Sequence, residues 1–364
     1  MAKRASKREL SFRRPVIASI ILVLLLLITF WFADYPAAVE RYYSRGLYRL
    51  VCYIFHPVFN LFPFSIGDVL YIAVVIYLVY VSVKLIRFLF RRDWRRSLLL
   101  VVRVGVGMEA VVFAFYLLWG LNYYRPSAAE RLNLRDTDYA VADLSNVTSM
   151  LIDSVNTCRA RLSVTDLQQK NKAIYSTAIN AVKGLPDSSG AFYTFHPDIK
   201  SSLLTPLLNY LGTSGYYNPF TAESQLNYEM PVFLKPFVAC HELSHQMGFG
   251  PEDEANFVGF LAGIHSHDRL LRYSSYYEGV QEFMFALRRQ DSVARKELRK
   301  RISPAVLADF KTEDAYWRVY EGRINELSSI FYDNFLKANN QPYGLRTYNR
   351  MVLLILAYHK EHPL

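Results

Sequence analysis

Residues 15–33, PVIASIILVLLLLITFWFA, carry no charge over their whole length. At about 1.5 Å per helical residue, such a run covers a hydrocarbon core about 30 Å thick. Lys3, Arg4, Lys7, Arg8, Arg13 and Arg14 precede it. A cleavable signal peptide would have a shorter apolar region and a small-x-small cleavage site, so the pattern reads as an uncleaved signal anchor. Two further spans are expected at 67–88 and 98–121. The first of these runs into Lys84, Arg87, Arg91, Arg92, Arg95 and Arg96. In the third, Arg103 can snorkel to the interface, while Glu109 is costly in lipid and is expected to face the other helices.

The two basic clusters belong on the cytoplasmic side. That orientation makes 1–14 a basic cytoplasmic tail and 15–124 a membrane region, and it places 125–364 outside the cytoplasm. The stretch 41–65 has short apolar runs broken by Pro57 and Pro63. It reads as interfacial or re-entrant, although an extra span there would reverse the topology.

Composition fits this plan. The chain is 52% hydrophobic with a net charge of +10, and its basic residues flank apolar segments. That distribution suits anionic headgroups of a lipid bilayer and argues against nucleic acid as the partner. Cys52, Cys158 and Cys240 have no metal or redox spacing, and an odd count cannot form a closed disulfide framework.

After Arg125 the composition becomes that of a soluble domain. Apolar positions at helical spacing predict helices over 136–162, 166–184, 231–247, 252–264, 275–290, 313–338 and 346–360. Asp136 and Thr137 are candidate caps for the first. Strand signal is sparse and best at 223–231. The fold class expected is mainly α: transmembrane helices followed by a predominantly helical domain with little β structure. The amphipathic stretches 276–289 and 348–360 either pack in the core, the favoured reading, or lie on the membrane surface.

The chemistry concentrates in PFVACHELSHQMGFGPEDEANF, residues 236–257. Residues four apart share a helix face, so His241 and His245 can bind one ion. Glu242 is turned slightly from that face, where it can act as general base on a water beside the ion. So short a pattern arises by chance, and its surroundings carry the weight. Gly248, Gly250 and Pro251 stop one helix and start another. The second helix opens with acids that can supply a third ligand. Glu252 shares a polar, small-residue face with Ala255, Asn256 and Gly259, whereas Glu254 shares a mostly apolar face. Glu252 is preferred, with Glu254 as the alternative third ligand and His265, His267 or Glu278 as remoter ones. Acids in a first turn also simply offset the helix dipole.

The element EDEAN, 252–256, resembles the Glu-x-x-Ala-Asp element that follows HExxH in gluzincin peptidases of the prenyl-protein endopeptidase type. The resemblance implies Zn2+ as cofactor, Glu252 as ligand and Asn256 as the group that holds a histidine. Asn in place of Asp would raise that imidazole's basicity less. More closely, the apolar N-terminal spans, LWGLNYYRP (118–126) and GYYNPFTAESQLN (215–227) resemble an uncharacterised bacterial membrane family, domain of unknown function 3810. That resemblance implies a bacterial inner-membrane protein and covers nearly the whole chain, but supplies no activity.

In zinc peptidases of this kind a strand ahead of the motif helix pairs with extended substrate. The segment 222–231 is the candidate, and Tyr216, Tyr217, Asn218 and Tyr228 are candidate substrate-binding or oxyanion groups. The function expected is a membrane-anchored zinc metallopeptidase acting outside the cytoplasm on a peptide or protein. The rival is a non-catalytic envelope scaffold with a structural or vestigial zinc site. An intramembrane protease is disfavoured, because the motif lies far from any span.

Overall fold

A computed structural model describes residues 11–134, 139–185 and 190–363. Most basic residues of the tail, and the candidate caps Asp136 and Thr137, lie outside the described residues. Helix accounts for 73% of the structure and strand for 3%, so the core is built by packing helix on helix.

Three helices, among the described residues, are long and apolar enough to cross a membrane: α1 (Arg13–Ala33) and the helices spanning Ile66–Phe90 and Trp94–Leu118. At 21, 25 and 25 residues they reach about 32–38 Å. Their apolar side chains are left largely exposed, as helices solvated by lipid require. Each begins or ends a few residues from the positions expected. Ser19 Oγ donates to Glu109 Oε1 at 2.8 Å, so the half-buried Glu109 does face a neighbouring helix.

The connector 41–65 is helical as far as Phe59. A π-helical stretch, Val39–Leu47, runs into α2 (Tyr48–Phe59), and Glu40, Arg41, Arg45 and Arg49 interrupt the apolar run that a span would need. One side of α2 is bound to the C-terminal part of the chain, while Leu50, Ile54 and Val58 stay exposed. Arg49 Nη2 donates to Gly190 O at 3.0 Å, and the Tyr53 and Phe195 rings meet at 4.1 Å. The next span, α3 (Ile66–Phe90), is capped by Ser65 Oγ, which accepts from Asp68 N. Glu223 receives the Ile66 and Gly67 amides and the Lys200 ammonium. The last span is α4 (Trp94–Leu118). The end of α1, the start of α3 and the end of α4 thus all meet the C-terminal part, while the basic turn between α3 and α4 lies at the opposite ends.

Next come α5 (Val141–Ala160), α6 (Asn171–Lys183), β1 (Ile199–Ser201), α7 (Thr205–Leu211), β2 (Gly215–Asn218) and β3 (Glu223–Leu226). They are followed by α8 (Lys235–Gln246), α9 (Glu252–Ile264), α10 (Arg269–Gln290), α11 (Ser292–Lys300), α12 (Pro304–Arg318), α13 (Arg323–Ala338) and α14 (Met351–Glu361). The helix expected over 313–338 is broken into α12 and α13 by a turn ending at Gly322. The main core gathers Leu144, Leu151 and Ile152 of α5, Phe257 and Phe260 of α9, Tyr273 and Phe283 of α10, and Ile355 of α14. The stretches 276–289 and 348–360 therefore pack inside. At the crossing of α8 and α9, a Cβ on Gly259 would sit 3.1 Å from the His241 amide nitrogen. Only a small residue permits that approach.

The sheet has three strands in the order β1-β3-β2, with β1 parallel and β2 antiparallel to β3. This corrects one expectation. The 223–231 segment does supply a strand, but β3 is central and has both edges paired. The edge strand is β2.

Candidate metal centre

Helix α8 starts with Pro236 in its first turn and buries eleven of its twelve residues. Gly248 takes φ +80°, a left-handed turn that suits glycine, and Pro251 precedes the first residue of α9. This short reversal brings Glu252 back onto the two histidines. His241 Nε2 and His245 Nε2 are 3.2 Å apart, and Glu252 Oε2 is 3.2 Å from the first and 3.6 Å from the second. A tetrahedral ion with bonds of about 2.0–2.1 Å requires ligand atoms about 3.3 Å apart. The triad, buried throughout, therefore fits one small divalent cation.

The atoms behind the triad fix which edge of each group faces inward. His245 Nδ1 lies 2.7 Å from Phe249 O, which leaves Nε2 for the ion. The resemblance assigns such orientation to Asn256, but for His245 a backbone carbonyl performs it. Asn256 is buried on the wall of the adjoining cavity. Tyr332 donates its hydroxyl to Glu252 Oε1 at 2.7 Å, turning Oε2 toward the histidines. Gln341 Oε1 accepts the Glu252 amide.

The end of α8 leaves carbonyls with no intrahelical partner. Trp119 Nε1 donates to His245 O at 3.1 Å, and the Tyr48 hydroxyl to Gln246 O at 2.8 Å. Arg125 Nη1 donates to Gly248 O at 2.8 Å. Two of these three donors come from the membrane region.

Electrostatics follow from burial. For Glu252, burial disfavours charge, but the histidines prevail and hold its carboxyl well below the usual range. Burial also opposes charge on His245, yet the Glu252 carboxylate raises it to about 9. The two thus form a buried ion pair. Glu242 is pushed up to about 7 by burial, against the pull of both histidines and with Glu252 reinforcing the rise. Its Oε2 is buried with no hydrogen-bond partner among the described residues. Gly215 packs against this carboxyl: a Cβ there would lie 2.7 Å from Glu242 Oε1 and 2.8 Å from Gln225 O.

The site opens on a cavity of about 1050 Å³ whose walls include His241, Glu242, His245 and Glu252. Tyr216 and Tyr217 line it as well. The Tyr216 hydroxyl is committed to Asp68, and the Tyr217 hydroxyl lies 3.2 Å from that of Tyr48. Three expected residues fall elsewhere. Glu254 is bound to Arg131 and to the Ala128 amide, because its helical position turns it away from α8. Asn218 is fully buried off the cavity, its Oδ1 accepting from Phe220 N at 2.9 Å. Tyr228 is 37% exposed and off the cavity, past the end of β3. His265 meets the Tyr358 hydroxyl, and neither it nor His267 joins the triad. Glu278 lies on the cavity wall outside the triad.

Trp119, Tyr48, Phe249 and Tyr332 support the site without having been singled out for it. Trp119 belongs to the quoted LWGLNYYRP element, so a signal existed. Tyr332 is one of 27 tyrosines and carried none.

Fold and site together define a membrane-tethered helical protein with a buried three-residue centre able to hold a metal ion. The chain belongs to the family described as protein of unknown function DUF3810, whose model matches residues 43–356. No curated protein and no solved structure matches it.

Proposed function

We propose that the protein is a membrane-anchored zinc metallopeptidase working on the extracytoplasmic face of a bacterial inner membrane. The observation that carries this reading is Glu242. It is a buried carboxyl next to a triad with tetrahedral spacing, with one oxygen unpartnered and an open cavity before it. A site serving only structure has no use for such a group.

Zn2+ held by His241, His245 and Glu252 would supply Lewis acidity toward a carbonyl and make a nearby water easier to deprotonate. Glu242 takes the proton from the attacking water and returns it to the leaving amine, a role suited to a carboxyl poised near neutrality. The edge of β2 beside Glu242 offers main-chain groups to an extended peptide. Phe249 and Tyr332 keep the ligands aligned. The orientation rests on the basic turn between α3 and α4 lying at the far ends of the spans.

The test uses the full chain in detergent and a quenched fluorescent peptide library. Wild type should hold about one zinc per chain and cleave the library. Glu242→Gln should retain the metal and lose about 100-fold or more in rate, while His245→Ala should lose the metal. Substoichiometric zinc in wild type, or turnover surviving in Glu242→Gln, would remove this reading in favour of a scaffold.

A further inference from the structure

The cavity beside the triad is not confined to the C-terminal domain. Val111, Val112, Phe115 and Tyr116 of the span α4 form part of the same wall as His241 and Glu242. Trp119, at the end of that span, has its ring 5.8 Å from the His245 ring. Val111 lies eight residues before it, so the cavity extends about 12 Å down the spanning helix.

A second helix marks the same level. Ile324, Leu327 and Phe331 of α13 share one face and are 54%, 67% and 73% exposed, and Ile330 beside them is 55% exposed. This apolar face suits an interfacial helix resting on a bilayer. The same helix touches the span, with Phe335 and Phe115 rings 5.9 Å apart and Tyr116 donating to Asn339 Oδ1 at 3.1 Å. Phe331 and Phe335 also line the cavity, so its lower arm lies between a span and a surface helix.

Another stretch of the wall is mixed, apolar along α8 and polar along α10 and α12. It follows α8 back from His241 past Phe237 to Leu234, where Ser274 Oγ accepts from Phe237 N. One turn along α10 is Glu278, and Glu313 faces the same space while accepting from Tyr277 and Gln281. One cavity thus carries apolar side chains from α4 and α13, carboxyls from α10 and α12, and the triad. The β2 edge, Gly215 to Tyr217, runs along it and offers backbone groups to a polypeptide.

We propose that the substrate is a polypeptide anchored in the same bilayer, cut at a bond bordering its apolar segment. The apolar segment lies against α4 and α13, and the polar flank passes Glu242 toward Glu278 and Glu313. This rests on the peptidase reading above and adds the substrate class. The step is hydrolysis: water gives its hydroxyl to the carbonyl carbon and a proton to the amine as the C–N bond breaks, with no co-reactant.

The experiment uses zinc-loaded full-length protein in phospholipid nanodiscs. Two synthetic probes share one short quenched flank of Ser, Gly and Lys, and one of them carries in addition an apolar span of about 20 residues. The anchored probe should show kcat/KM about 100-fold above the flank alone, with cleavage mapped to bonds bordering the span. Val112→Trp, at an exposed position that should not disturb folding, should lower the anchored probe's rate about tenfold more than the flank's. Equal rates for the two probes, or cuts scattered along the flank, overturn the proposal. Binding is read separately in Glu242→Gln carrying a benzophenone side chain at position 111. Crosslinking to the anchored probe supports the substrate class even if wild type cleaves neither probe, an outcome that would remove only the hydrolase reading. Crosslinking to phospholipid alone, or no crosslink, overturns the proposal whatever the turnover.

Discussion

Replacing Tyr332 by Phe removes one hydroxyl and leaves the ring stacked on Phe335, 6.0 Å between centroids and 12° between planes. The lost contact is the 2.7 Å bond to Glu252 Oε1. A hydrogen bond to a charged acceptor contributes about 1.5–3 kcal/mol. At about 1.4 kcal/mol per decade, that corresponds to about 10-fold to 150-fold in zinc affinity if the bond matters only when Glu252 is turned to the ion. The ring stands on the cavity wall, where water can replace the hydroxyl, so the expectation falls at the lower end, about tenfold. Competition with a chromogenic chelator on the full-length protein measures it, with Tyr228→Phe as a control far from the cavity. A zinc affinity unchanged by Tyr332→Phe, or lowered equally by Tyr228→Phe, would refute the claim that Tyr332 orients the ligand.

Three further outcomes concern Gly215, Arg131 and Glu282. Gly215→Ala puts a methyl against Glu242 and Gln225 O, so turnover should fall about 10–100-fold at unchanged zinc content; full activity would mean β2 does not set the Glu242 position. Arg131→Met leaves the Glu254 carboxylate buried without its partner and should destabilise by about 3–5 kcal/mol, with Glu254→Leu in the same chain restoring most of it. Denaturation midpoints of the single and double variants check this, and equal midpoints would contradict it. Glu282 is raised by burial from 4.5 to about 7. The folded state therefore keeps a proton that the unfolded chain has released, and the contribution of Glu282 to stability is lost as pH rises from about 4.5 through 7. Glu282→Gln should gain on wild type between pH 5 and pH 8 by up to about 3 kcal/mol, whereas a pH-independent difference would show that the carboxyl is not buried as described.

The spans were legible because lipid imposes one simple demand, about twenty apolar residues with all backbone groups bonded internally. The Glu252 face was legible for a different reason: Ala255, Asn256 and Gly259 are small, and two helices can meet closely only across such residues. What escaped was set by partners distant in sequence. Nothing near residue 223 announces that β1 will add in parallel and turn that strand into the centre of the sheet. Asn218 and Tyr228 looked suitable by type, but a backbone bend buries one behind the cavity and leaves the other in solvent. Likewise 41–65 looked interfacial because its apolar surface was assigned to lipid. Leu50, Ile54, Val58 and Leu61 do stay exposed, but Tyr48 and Tyr53 reach the end of α8 and Phe195, contacts more than 130 residues away along the chain.

The bonds from Trp119 and Tyr48 to the last carbonyls of α8 bear on biogenesis. Both donors are synthesised well before His245, and both are held in place by segments that must first be inserted in the bilayer. The centre is therefore completed only after membrane insertion, and a chain still in transit lacks the groups that finish its helix. The same dependence makes the C-terminal domain unsuited to separation from its spans. Release of the part after residue 125 would leave the end of the motif helix without two of its donors, and so would weaken the centre instead of freeing it intact.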